Sequence, residues 1–415
     1  MARHRNPVGD PVASATALLR RLGFATLMLV IPSLALVSRR AVVVLAPIGV
    51  SLLIIAAILD GENRPIGRSN RAFAGSVPVL ATIVLLVWIS LSLIWTPFYE
   101  PAAARFGSIL AMTALAVAGY YALPERMRAS NIYLLAIGVS VAAIAGIALS
   151  LLYGQGLVEP PDGVATLERG LVAMVILVWP AIAWLSSRRR DVQAVLLALA
   201  VGVASLLGPT ILPFVAFLAS GVVCVLATSA PRVATAATAT GMAGAILIAP
   251  LIPFVAAAFV GFPGIGPAAG GFAAGGFLES LVIWRDLIVG EPLRLLTGYG
   301  LEAALRGRGS GLLPANAPYS VLFEIWFDFG LVGAVAAAIA LYGAIVAATR
   351  SHPPLTPGAL AAFVSAFVMA VMGVATTQMW WVTTLIVVPL IFIAIARGQF
   401  RTKRPKALLR MIGER

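Results

Sequence analysis

The sequence predicts an all-α fold, a polytopic membrane helical bundle of about 12 transmembrane helices with a long loop between helices 9 and 10. Its 415 residues are 61% hydrophobic and 11% charged, whereas soluble domains run at about 45–50% and about 25%. Apolar runs of about 18 residues or more, nearly free of charge, recur from one end of the chain to the other. At ~1.5 Å of rise per residue such a run crosses a ~30 Å hydrocarbon core, and lipid obliges the backbone to satisfy its own hydrogen bonds. The third observation is the placement of charge. The net charge of +13 is concentrated in the short connections on one predicted side.

Taken in order, residues 1–22 form a basic arm with amphipathic character. The first apolar run follows that arm without a small-residue cleavage site, so it is expected to remain as a span. Spans are predicted at 23–38, 41–59, 76–95, 102–122, 132–154 and 168–186. A second set falls at 192–207, 209–228, 233–260, 320–349, 358–377 and 379–396, followed by a basic tail at 397–415. With the amino terminus inside, 21 of the 29 Lys and Arg lie in cytoplasmic segments and 8 outside, while 10 of the 16 acids lie outside. That asymmetry fixes the orientation, with both termini cytoplasmic. It also explains the basic excess through topology and attraction to anionic membrane lipids, so no nucleic-acid partner is called for.

Residues 261–319 form the one long outer loop. It opens on GFPGIGPAAGGFAAGG, which disfavours regular structure, and a lid role is expected there. FLESLVIWRDLIVG follows as a helix, with Phe277, Leu281, Trp284 and Ile288 along one stripe. Long structured loops in tight bundles are usually functional. The helix after it begins LPANAPYSVLFEIWFDFGLVG and carries Glu324 and Asp328 one turn apart. Two carboxylates at a helix mouth either mark the water boundary or face a polar site.

Polar residues of the outer side gather at helix ends: Arg105, Glu168, Arg169, Glu324 and Asp328, with Arg285, Arg294, Arg306 and Arg308 in the loop. Guanidinium forks suit bidentate binding of phosphate or carboxylate, and equally suit helix-end ion pairs. Gln378, Trp380 and Trp381 read first as interface anchors, with sugar stacking the other reading. The single cysteine, Cys224, lies in an apolar run and excludes an internal disulfide. There is no phosphate-cradling loop, no His/Cys metal spacing and no nucleophile elbow, so no cofactor or metal is expected. His4 and His352 both fall on the predicted cytoplasmic side.

Four segments carry a family resemblance: LERGLVAMVILVWPAIAWL (167–185), SLVIWRDLIVGEPLRLLTGYGLEA (280–303), ANAPYSVLFEIWFDFGLVG (315–333) and TTQMWWVTTL (376–385). In order and spacing they resemble the bacterial O-antigen ligase and O-antigen polymerase superfamily, inner-membrane glycosyltransferases that use polyprenyl-pyrophosphate-linked glycans. The resemblance covers about residues 160–390. It implies transfer or polymerisation of an undecaprenyl-pyrophosphate-linked glycan onto a glycan or lipid acceptor, by metal-independent inversion, in surface polysaccharide or lipopolysaccharide assembly. Arg169 stands at the family's arginine, and the family's histidine position reads Asn316, Ala317 and Tyr319 here. The expected substrate contacts are Arg169, Arg285, Trp284, Arg294 and Asp328. The expected general base is Glu324, aided by Asn316 or Tyr319. A non-catalytic glycan-binding relative and a lipid-linked oligosaccharide transporter are the other readings.

Overall fold

A computed structural model describes residues 11–38, 40–61, 76–124, 129–157, 163–260, 274–373 and 378–398. Among them every regular element is helical. Ten helices are long and apolar enough to cross a membrane, and two shorter apolar helices, Val77–Ser92 and Asp191–Leu206, stand at two of the other predicted spans. The expected lid at 261–273 and the basic tail beyond 398 lie outside the described residues.

The first span starts earlier than hydropathy suggested. Helix α1 begins at Pro11–Ala25 and runs through a π-helical turn, Thr26–Val30, into Ile31–Leu34. Much of the predicted basic arm is therefore helical, with Arg20 paired to Asp60 at 2.6 Å. Then follow α2 (Ala41–Leu59), α3 (Val77–Ser92), α4 (Tyr99–Ala122), α5 (Ala129–Gly154), α6 (Val164–Ser187), α7 (Asp191–Leu206) and α8 (Leu212–Ser229). Helix α9 (Pro231–Ile248) continues past Ala249–Leu251, a 3-10 turn at Pro250, into Ile252–Val260. Three helices precede the next span: α10 (Ala274–Gly290), α11 (Arg294–Thr297) and α12 (Ala303–Ser310). The chain closes with α13 (Val321–Ser351), α14 (Thr356–Val371) and α15 (Met379–Gly398).

Helix α6 is the hub. It is buried along nearly its whole length, against α5, α7, α14 and α15. Its apolar surface goes all round, and small residues such as Gly170 and Ala181 let neighbours approach closely. Helix α13 organises a second core. It packs against α3 and α9, and its Phe323, Trp326 and Phe327 bury Leu281 and Trp284 of α10.

The two ends of the bundle differ in chemistry. At one end Arg188 donates to Gly398 O, and Arg397 donates to Tyr120 O and Leu123 O, closing off the carboxyl ends of α4, α6 and α15. At the other, the starts of α4 and α13 meet the segment 294–310, and the starts of α6 and α15 meet each other through Arg169 and Trp380.

Candidate functional site

Helix α13 is interrupted at Gly330, whose φ of 61° and ψ of −156° leave the helical region. A break in an apolar helix frees backbone carbonyls that lipid cannot satisfy. Here three successive carbonyls find donors from outside the helix. Tyr299 N–H donates to Phe327 O at 2.8 Å, Gly300 N–H to Asp328 O at 2.9 Å, and Trp88 Nε1–H to Phe329 O at 2.8 Å. A Cβ at Gly330 would lie 2.6 Å from Leu296 O, and one at Gly298 would strike the backbone of Asp328 and Phe329. Glycine is therefore required on both sides of the contact, where two backbones touch. From Leu331 to Ser351 the helix is long enough to cross a membrane by itself, so the turns carrying Glu324 and Asp328 sit at its mouth.

The docked segment brings α12 over that mouth. Asp328 is buried, and its Oδ1 accepts the backbone N–H of Ala304 at 2.7 Å in the first turn of α12. Glu302, just ahead of α12, is also buried, and it takes a left-handed backbone with φ of 71°. Its carboxylate accepts from Arg105 Nε at 2.8 Å and from Arg306 Nε at 3.1 Å. Two guanidinium groups thus offset one buried carboxylate, as a charge removed from water requires. Nearby, Thr96 Oγ1 donates to Leu301 O, which ties the α3–α4 connection to the same segment.

Arg308 occupies the centre. Nη1 donates to Ala304 O at 3.0 Å, Nη2 donates to Pro318 O, and the guanidinium carbon lies 3.7 Å from the centre of the Tyr319 ring. Nε is buried and meets no acceptor among the described residues. Burial pulls the guanidinium below its usual range, while Tyr319, Glu324 and Asp328 act to hold its charge. Glu324 is half-buried in the first turn of α13, within the fields of Arg308, Arg105 and Glu302. An anchored cation with unused donors beside a carboxylate can bind a phosphate and accept a hydroxyl proton in one place.

The expected site residues divide accordingly. Tyr319 lies against Arg308, and Glu324 and Asp328 act on its charge through their fields. Asn316 is exposed, and its Nδ2 donates to Glu279 Oε1 at 3.0 Å. Arg285 pairs with its neighbour Asp286 at 2.8 Å, and Trp284 is buried edge-on to Phe323 at 5.4 Å between centroids. Arg294 lies 4.9 Å from the Tyr299 ring centre, which itself stacks on Phe327 at 4.3 Å. Burial and a hydrogen bond with Glu291 push the Tyr299 hydroxyl up to about 12, so it stays protonated. Arg169 is half-buried with its guanidinium 6.0 Å from the Trp380 ring centre, and Trp380 Nε1 donates to Gln378 Oε1 at 2.6 Å. Beside it Glu168 accepts from Thr210 at 2.9 Å.

Sequence reading named Arg105 and Arg308 only among the outer cations and did not single out Glu302. The available signal was the position of Glu302 two residues past Gly298-Tyr299-Gly300, a turn that brings its side chain to Arg105 of α4. No group of three or more His, Cys, Asp or Glu able to hold a metal occurs among the described residues. No protein-family model matches the chain, and no characterised protein matches it either.

Proposed function

We propose that the chain is a bacterial inner-membrane glycosyltransferase that transfers or polymerises an undecaprenyl-pyrophosphate-linked glycan in surface polysaccharide or lipopolysaccharide assembly. The observation that carries this reading is Arg308, held half-buried with donors unused, beside Glu324 at one end of an apolar bundle. The outer side of the membrane is assigned to that end, and α10 to α12 belong to the periplasmic loop. All twelve apolar helices then cross the bilayer, which thins locally around the two shorter ones.

In the proposed reaction the acceptor hydroxyl oxygen attacks the anomeric carbon of the donor sugar. The bond from that carbon to the pyrophosphate oxygen breaks as the new glycosidic bond forms, with inversion. The hydroxyl proton passes to the Glu324 carboxylate, and polyprenyl pyrophosphate leaves with the electron pair. Arg308 and Arg169 stabilise the charge developing on that leaving group, and holding the reactants side by side lowers the barrier further. Tyr319 orients Arg308 through its ring.

A transporter reading draws support from the broken helix, because transporters use unwound carbonyls to coordinate ions or substrates. The break at Gly330 lacks that property: the carbonyls of Phe327, Asp328 and Phe329 already have N–H partners. The transferase reading is tested with purified full-length protein and synthetic polyprenyl-pyrophosphate glycan plus acceptor. Release of polyprenyl pyrophosphate together with a new glycosidic bond is expected, and it is lost in Arg169→Ala. Binding without turnover would overturn the reading in favour of a non-catalytic glycan-binding protein.

A further inference from the structure

We propose that Asp328 is a positioning residue, which sets Arg308 over the Tyr319 ring by clamping the amino end of α12 into the broken turn of α13. The inference rests on the transferase reading for its consequence and on geometry for its mechanism. Asp328 is a carboxylate in the apolar interior, and the catalytic steps above do not use it. Its Oδ1 instead accepts from Ala304 N–H at 2.7 Å, and its own carbonyl accepts from Gly300 N–H at 2.9 Å. One residue of the helix mouth therefore holds both sides of the turn that leads into α12.

Arg308 follows Ala304 by one helical turn, and its Nη1 bonds back to Ala304 O at 3.0 Å. The residue whose N–H is fixed by Asp328 is thus the residue whose carbonyl orients the guanidinium. The chain of contact runs Asp328 Oδ1, Ala304 backbone, Arg308 Nη1, and each link is within hydrogen-bond distance. Glu302 adds a second hold from the side, through Arg105 of α4 and Arg306 of α12. Because α12 has only eight residues, it has little intrinsic stability and takes its orientation from these contacts.

The test has two parts. The first uses no substrate: Ala304→Cys is placed in a Cys224→Ala background, and its reaction with a membrane-impermeant maleimide is followed. Ala304 is 1% exposed, so its thiol is expected to be protected. Protection is expected to be lost with Asp328→Ala and kept with Asp328→Asn, whose side-chain carbonyl can still accept the Ala304 N–H. Equal protection in all three would overturn the clamp.

The second part measures turnover of polyprenyl-pyrophosphate glycan. A displacement of about 1 Å in a positioned group costs on the order of 100-fold in rate. Asp328→Ala is expected to lower kcat by about that factor, with Asp328→Asn restoring most of it. In an Arg308→Ala background, Asp328→Ala is expected to add no further loss. Equal losses from Asp328→Ala with and without Arg308 would overturn positioning through Arg308 and leave a general stability role. If the cysteine variants show the expected thiol pattern while wild-type protein shows no transfer, the transferase reading alone falls.

Discussion

Trp88 Nε1 of α3 donates to Phe329 O of α13 at 2.8 Å, across 241 residues of sequence, at the point where α13 breaks. The indole replaces an N–H that the helix would otherwise supply. Phe in place of Trp88 keeps most of the apolar contact and deletes the donor. Trp88→Phe is expected to destabilise the fold by about 1 kcal/mol, within the range for hydrogen bonds inside membrane proteins. Unfolding in a graded detergent–denaturant series checks it, and unchanged stability would mean another donor takes the carbonyl.

Gly330 faces a harsher constraint. Its φ of 61° disfavours any side chain, and an added Cβ would sit 2.6 Å from Leu296 O. Neither backbone can yield easily, since Tyr299 and Gly300 are hydrogen-bonded to the same turn. Gly330→Ala is expected to cost about 2–3 kcal/mol or to undock 294–310 from the helix mouth. Limited proteolysis of that segment distinguishes this from a mild local adjustment, in which cleavage would match wild type.

Glu302 tests the electrostatic hold. Arg105 is 17% exposed and Arg306 52%, so most of the effect belongs to the Arg105 pair. Glu302→Gln retains the shape and removes the charge that offsets Arg105. A loss of about 2 kcal/mol is expected, below the ~3–5 kcal/mol of fully buried pairs because water reaches the Arg306 side. Arg105→Gln combined with Glu302→Gln should recover part of that loss, and the thermal midpoints of the single and double variants read it.

Composition and charge placement carried the fold class, since apolar runs of membrane-crossing length admit few alternatives. The start of α1 was misplaced because Arg20 and Arg21 lower the hydropathy of a stretch whose partner, Asp60, lies 40 residues away. The α13 mouth was legible from Glu324, Asp328 and Gly330 standing together in a helix start. What the chain order concealed was pairing: Arg285 and Arg308 look alike as outer cations, yet one is matched by its neighbour Asp286 and the other is set over Tyr319. The Arg285 pair is local, but the setting of Arg308 arises from how α12 folds back on the start of α13, a contact between segments that no local pattern encodes.

That contrast between Arg285 and Arg308 yields the sharpest functional prediction. Arg285 is part of the sequence resemblance, follows Trp284 and is half-exposed, but its guanidinium is directed at Asp286 through both Nε and Nη2. Its charge is already matched, and exposed pairs of this kind contribute little. Arg308 has donors to spare, sits in a lower-dielectric setting and lies within the field of Glu324. Loss of one donor aimed at developing charge costs about 100–1000-fold in turnover. Arg308→Ala is therefore expected to lose about that much, and Arg308→Lys to recover only a fraction, because an ammonium lacks the planar fork whose two nitrogens reach Ala304 O and Pro318 O and leave donors for the leaving group. Arg285→Ala is expected to stay within about threefold of wild type. Measured side by side on polyprenyl-pyrophosphate glycan, the reverse order would move the proposed phosphate site from the α13 mouth to the exposed face of α10.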